Sequence, residues 1–177
     1  MSAVDAGYRR VFWQCHATAL DLAQEAGDIE TIIAIVRDAG RGEILSGNHR
    51  AAAKLFELMS IRKTFDALRW GLLGSAYAPH SPESAKSALV HLRNSEGADS
   101  LDAHAMTGHV SLDVGDYATA ISAFEKVVPQ RTGRLVVQEM APLAIAHLKA
   151  GEVRTGVQHA ERALFLVEQV RSIQCLG

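Results

Sequence analysis

GHVSLDVGDYATAISAFEKVV, residues 108–128, is the stretch from which the fold can be read. Gly115-Asp116 divides it into two helical segments. Glycine accepts the left-handed backbone that ends a helix, and the aspartate can accept from the free N–H groups that begin the next. A glycine followed by a polar residue recurs at Gly27-Asp28, Gly47-Asn48 and Gly151-Glu152. Each is preceded by helical apolar spacing and followed by an alanine-rich segment, so these are joints between helices and not loops within a sheet. Gly47 and Gly115 lie 68 residues apart, twice 34, and Gly115 and Gly151 lie 36 apart. A period of that length marks a structural unit stacked on copies of itself.

The side chains stand in phase with the period. Gly108, Gly115, Tyr117, Ala120 and Phe124 in one unit answer to Gly40, Gly47, Ala52 and Phe56 in another, with the same seven-residue glycine interval. Residues 140–164 carry Leu143, Ala144, Gly151, Ala160 and Ala163. Between them the chain reads Trp70-x2-Leu73-Gly74-x2-Tyr77, then the breaker APHSPES, then a helix with Ala85, Ala88, Leu89 and Leu92. This pattern resembles the tetratricopeptide repeat (TPR). The resemblance implies an all-α, TPR-like, right-handed α-superhelix of about nine antiparallel helices. A small residue would stand where the two helices of a repeat cross, and aromatics would fill the space between neighbouring repeats. One domain is expected over 1–177, with helices at 8–26, 29–46, 48–60, 62–78, 82–94, 99–114, 116–128, 135–150 and 152–174. The first is an orphan helix, and the others form repeats at 29–60, 62–94, 99–128 and 135–174. Gly27 falls only 20 residues before Gly47 and is expected to differ from the other joints. Pro142 is expected to kink the eighth helix or to delay its start to about Met140.

A closer resemblance is to the C-terminal TPR-like domain of actinobacterial helix-turn-helix transcriptional regulators. It is carried by ALDLAQEAGD at 19–28, by GHVSLDVGDYATAISAFEKVV at 108–128 and by LAIAHLKAGEVRTGVQHAERALFLVEQVRS at 143–172. What it implies is a regulatory scaffold without catalytic residues. No segment resembles the DNA-binding domain of those regulators, so direct contact with nucleic acid is not expected.

Composition agrees with a globular chain. Hydrophobic residues make up 48% and charged residues 21%, a balance that excludes disorder. Four prolines and 6% aromatics argue against a β-sandwich or barrel. A net charge of −2 offers no electrostatic footing on a phosphate backbone. Cys15 and Cys175 form no ligand cluster and read as reduced, buried or half-buried thiols. No secretory signal stands at the N-terminus, and no run approaches the roughly 18 apolar residues a membrane span needs. A cytoplasmic location and no membrane partner are expected.

Motifs for catalysis fail on their own chemistry. GRGEILSG at 40–47 follows Gly47 with Asn48 and His49, where a phosphate loop requires lysine and a hydroxyl. His104 and His109, five apart on a helix, point about 140° apart around its axis and share no ligand face. No HExxH or comparable set accompanies them, so no catalytic residue, metal or cofactor is expected. In TPR-like stacking the first helices line the concave face, and the resemblance places Arg37, Arg41, Ser75, His109, Asp113, Gln138 and Lys149 there. Arg37 and Arg41 lie one turn apart and can clamp a carboxylate or phosphate. The leading expectation is a non-enzymatic protein- or peptide-interaction module with a regulatory role. The alternatives are a sensor holding a small signalling molecule near Arg37, Arg41 and His109, and, remotely, a small helical enzyme. Leu164, Val167, Val170 and Ile173, with Phe165, Leu166 and Leu176, form an apolar stripe expected to pair two copies through the C-terminal helix.

Overall fold

Short-range hydrogen bonds place the helix boundaries. Asp28 Oδ1 accepts from the Thr31 N–H at 3.1 Å, Ser100 Oγ from Ala103 at 3.2 Å and Asp116 Oδ1 from Thr119 at 3.2 Å. Each satisfies an N–H that the first turn of a helix cannot pair internally. Helix ends are equally regular. The residue after each joint glycine donates its N–H to the carbonyl five residues back: Asp28 to Ala23, Asn48 to Glu43, Asp116 to Ser111 and Glu152 to His147, all at 2.8–2.9 Å. Gly115 itself sits at φ +82°, where a side chain would be strained. Gly27 therefore makes the same joint as the others, contrary to the sequence expectation. The hydrogen-bonding geometry is a property of the helix end, and the shorter spacing reflects only the unpaired helix before it.

The computed structural model describes the backbone of residues 3–57 and 66–174, and the side chains of 14–19, 21–57, 66–133 and 135–169. The chain is all-α, a TPR-like right-handed superhelix. Its described helices are α1 (Ala3–Ala26), α2 (Ile29–Leu45), α3 (His49–Glu57), α4 (Asp66–Tyr77), α5 (Pro82–Arg93), α6 (Leu101–Asp113), α7 (Tyr117–Val127), α8 (Gly133–Lys149) and α9 (Val153–Gln174). A 3-10 turn, Val128–Gln130, follows α7. The ends expected at residue 60 for the third helix and residue 62 for the fourth lie outside the described residues. Helices pair as α2/α3, α4/α5, α6/α7 and α8/α9, with α3 against α4, α7 against α8, and α6 between α4 and α8. That arrangement puts α2, α4, α6 and α8 on one layer.

Glycine permits the closest crossings. A Cβ on Gly108 would lie 2.7 Å from Phe124 Cε1, and one on Gly40 would collide with the Phe56 ring. Both phenylalanines are fully buried. The α4/α5 pair departs from this scheme. Its joint is one residue longer and has no glycine, and Ala85 and Leu89 pack with Val110 of the next repeat. A Cβ on Gly74 would meet Val110 at 2.9 Å, so that glycine serves the approach of α6 rather than of its own partner. In the α8/α9 pair the glycine has changed helices: Gly156 of α9 lies under Leu148 of α8, 2.6 Å from where its Cβ would stand.

Three details differ from expectation. α8 spans Gly133–Lys149 with Pro142 inside it, so its start is not delayed to Met140. Proline removes only the N–H that would have reached the Gln138 carbonyl, and Gln138 is solvent-exposed. Tyr117 is half-buried rather than enclosed between repeats. Cys15 is exposed, since its helix α1 is covered only by α2, and Cys175 lies outside the described residues. Among the described residues no helix is long and apolar enough to cross a membrane.

Gly108→Leu should destabilise the protein by about 1–3 kcal/mol or more through overpacking. Phe124→Ala should cost about 3–5 kcal/mol by opening a cavity at the same crossing. Tyr117→Ala should cost clearly less than Phe124→Ala. Denaturant unfolding that finds Gly108→Leu neutral would refute this packing.

Candidate functional site

The inner layer encloses a groove of about 1040 Å³. α2 contributes Arg37 and Arg41, α4 contributes Leu68, α6 contributes Met106 and His109, and α8 contributes Leu135, Gln138 and Glu139. Arg37, Arg41, His109 and Gln138 are thus brought together, although 101 residues separate the first from the last. α6 packs between α4 and α8, so equivalent turns from those repeats fall side by side, and α2 brings its arginines to the same groove.

Ser75, Asp113 and Lys149 are not among the lining residues. Ser75 Oγ donates to the Gly71 carbonyl one turn back at 3.2 Å, which occupies its hydroxyl within α4. Asp113 and Lys149 end α6 and α8, beyond the stretch where those helices face each other across the groove. Desolvation by its neighbours raises the Asp113 pKa, and the charges of His109 and His49 pull it the other way.

Electrostatically the groove is two-sided. Arg37 Nε lies 3.3 Å from Asp38 Oδ1, a neighbouring pair on an exposed surface. Arg41 is exposed and makes no ion pair among the described residues, so its donors are available. Opposite in character is Glu139, whose side chain is only 10% exposed. His109 Nε2 lies 3.0 Å from Glu139 Oε2 and attracts it when the imidazole is protonated. The contact is not aligned as a hydrogen bond, and Oε2 is buried without one. His109 also rests edge-on against the Phe124 ring, with centroids 5.1 Å apart, which ties its position to the glycine crossing. Arg131 pairs with Asp102 at the groove's margin.

Glu139, the Arg131–Asp102 pair and the apolar floor of Leu68, Met106 and Leu135 were not singled out in the sequence. One signal for Glu139 was present. In register it occupies the place of Ile35, Arg69 and Ala103, and is the one carboxylate at that position among the four repeats.

A second pocket of about 510 Å³ opens between α5, α6 and α7, lined in part by Arg93, His104 and Lys126. It includes none of the candidate residues. Among the described residues no group of three or more His, Cys, Asp or Glu side chains could hold a metal ion.

The fold is similar to a solved structure, that of MamA, a TPR-like protein. The two share 19% identity with a TM-score of 0.60, over 97% of this chain and 98% of that one. At that identity the likeness concerns the fold. No family model matches the chain, and no curated protein matches it.

The raised Asp113 pKa gives a pH test. A carboxylate whose folded pKa lies above its unfolded value favours folding while protonated and costs stability once ionised. Asp113→Asn should therefore match the wild type below the unfolded carboxylate pKa of about 3.9 and exceed it at neutral pH. Urea titrations at several pH values, finding the variant less stable at pH 7 than at pH 3 relative to wild type, would contradict this.

Proposed function

We propose that the chain is a non-enzymatic interaction module that holds an extended segment of a protein partner in the groove between α2, α4, α6 and α8. The observation that carries this reading is the pairing of opposite demands on one surface. An unpaired guanidinium at Arg41 calls for an acceptor, and a buried Glu139 oxygen without a hydrogen bond calls for a donor. Leaving a buried carboxylate oxygen unsatisfied costs free energy that a bound N–H or ammonium would recover. A peptide supplies both groups within a few residues, and its apolar side chains fit the floor of Leu68, Met106 and Leu135.

The groove is partly open to solvent, which suits a chain segment better than a small effector that an enclosed pocket would hold. Resemblance of residues 19–28, 108–128 and 143–172 to regulator domains supports a regulatory, transcription-related role for this module. Cytoplasmic placement belongs to the same proposal.

Selection from a random peptide library displays the chemistry directly. Peptides retained by the wild-type protein should be enriched in both acidic and basic residues. Arg37→Ala with Arg41→Ala should lower affinity for a selected peptide about tenfold or more, and Glu139→Gln should remove the preference for basic residues, with helicity unchanged. Raising salt should weaken the wild-type complex, because exposed charges are screened. Peptides that bind all three proteins equally would remove the groove from consideration.

A further inference from the structure

α9 turns an apolar row outward. Val153, Val157, Ala160, Leu164 and Val167 follow one another at intervals of four, three, four and three, the spacing of a helix–helix seam. Val153 is 59% exposed, Val157 44% and Leu164 62%, and Ala160 is exposed as well. Of the stripe first expected on this helix, Leu164 and Phe165 are exposed, Leu166 and Val167 are half-buried, and the side chains of Val170, Ile173 and Leu176 lie outside those described.

The repeat register says what kind of surface this is. One unit earlier, Leu112, Ile121 and Val128 pack against a cluster that joins Ala120 and Phe124 of α7 to Leu143 and Ala146 of α8. Advanced by the 36 residues that separate Gly115 from Gly151, those positions become Leu148, Val157 and Leu164. They are 41%, 44% and 62% exposed. The end of the stack thus presents the surface that the preceding repeat covers with a helix.

We infer that a second copy of this chain covers it, with α9 laid antiparallel on its counterpart about a two-fold axis. The charges select this occupant. Arg154 and Glu161 are both exposed, stand one heptad apart along the same edge of the row, and make no ion pair among the described residues. When Val157 of one copy lies opposite Ala160 of the other, Arg154 of each comes beside Glu161 of the other, and symmetry makes the pair twice. A parallel arrangement would put this edge of the two helices on opposite sides of the seam, so that neither Arg154 nor Glu161 would meet its complement. Ala160, small and central, lets the two backbones approach, and a two-fold contact closes on itself so that growth stops at two. This surface is separate from the groove, and the inference stands apart from the proposed peptide binding.

Light scattering after size exclusion, on the full chain at about 100 µM, should give twice 19.1 kDa. Val157→Glu with Leu164→Glu should return the mass to 19.1 kDa with the helical circular dichroism retained. Arg154→Glu alone and Glu161→Arg alone should each weaken self-association about tenfold, since both symmetry-related pairs become repulsive. Mixed together, those two variants should form a one-to-one dimer of wild-type strength, because one brings two acids and the other two bases. A wild-type mass of 19.1 kDa at that concentration, or a dimer indifferent to the Val157/Leu164 change, would overturn the proposal. If that double variant fails to fold, the mixing experiment decides alone: no gain on mixing overturns it, and complementation supports it.

Discussion

A missing side chain sets the geometry of this molecule. At Gly40 and Gly108 the place of a Cβ is taken by a phenyl ring from the second helix of the pair, and no residue with a side chain fits without moving that ring. The distance and angle between the two helices of a repeat follow from that contact, because a fully buried Phe56 or Phe124 has no other place to go. Once the pair is rigid, the inner helices of successive repeats are held at a constant offset. The groove is a consequence of that offset. Even the orientation of His109 derives from it, since its ring leans on Phe124.

Against so regular a scaffold, the polar groups that break the pattern carry the information about binding. Most buried positions of the inner helices hold alanine, leucine, valine or glycine, and these contribute to stability alone. Glu139 does not. Burying a carboxylate costs several kcal/mol unless it is paired and hydrogen-bonded, and the one neighbour described for Oε2 is a histidine whose N–H is not aligned on it. The same place holds Ile35 and Ala103 in two repeats but Arg69 in the second, so charge at this position is shared by two units. The residue makes physical sense as part of a surface completed by something else.

The helices and their joints were legible in the sequence because their causes are local. A glycine that ends a helix, an aspartate that begins one and a 34- or 36-residue period can each be read without knowing what the chain packs against. Arg37, Arg41, His109 and Gln138 could be brought to one groove for the same reason, through the register. Ser75, Asp113 and Lys149 could not be judged that way. Whether a residue near a helix end lies within the facing stretch depends on the superhelix, and whether a serine hydroxyl is available depends on its own backbone, here the Gly71 carbonyl. Pro142 did not delay the start of α8, since the carbonyl it leaves without an N–H partner belongs to the exposed Gln138. Gly27 misled because spacing was taken to govern the joint, when the hydrogen bond to Ala23 governs it.

The last repeat shows how the same constraint can be met by exchanging roles. α8 and α9 must still cross closely, yet Ala144 and Ala160 stand where the first and third repeats have glycine and phenylalanine. Space is made instead by Gly156 on the outer helix, and filled by Leu148 from the inner one. The exchange keeps the hairpin tight but alters what the hairpin shows to its far side. Without a phenylalanine anchoring α9 inward, its apolar row of Val153, Val157 and Leu164 is left facing out, beside a Leu148 that is itself 41% exposed. A surface that elsewhere in the chain lies between repeats is therefore carried on the outer side of α9.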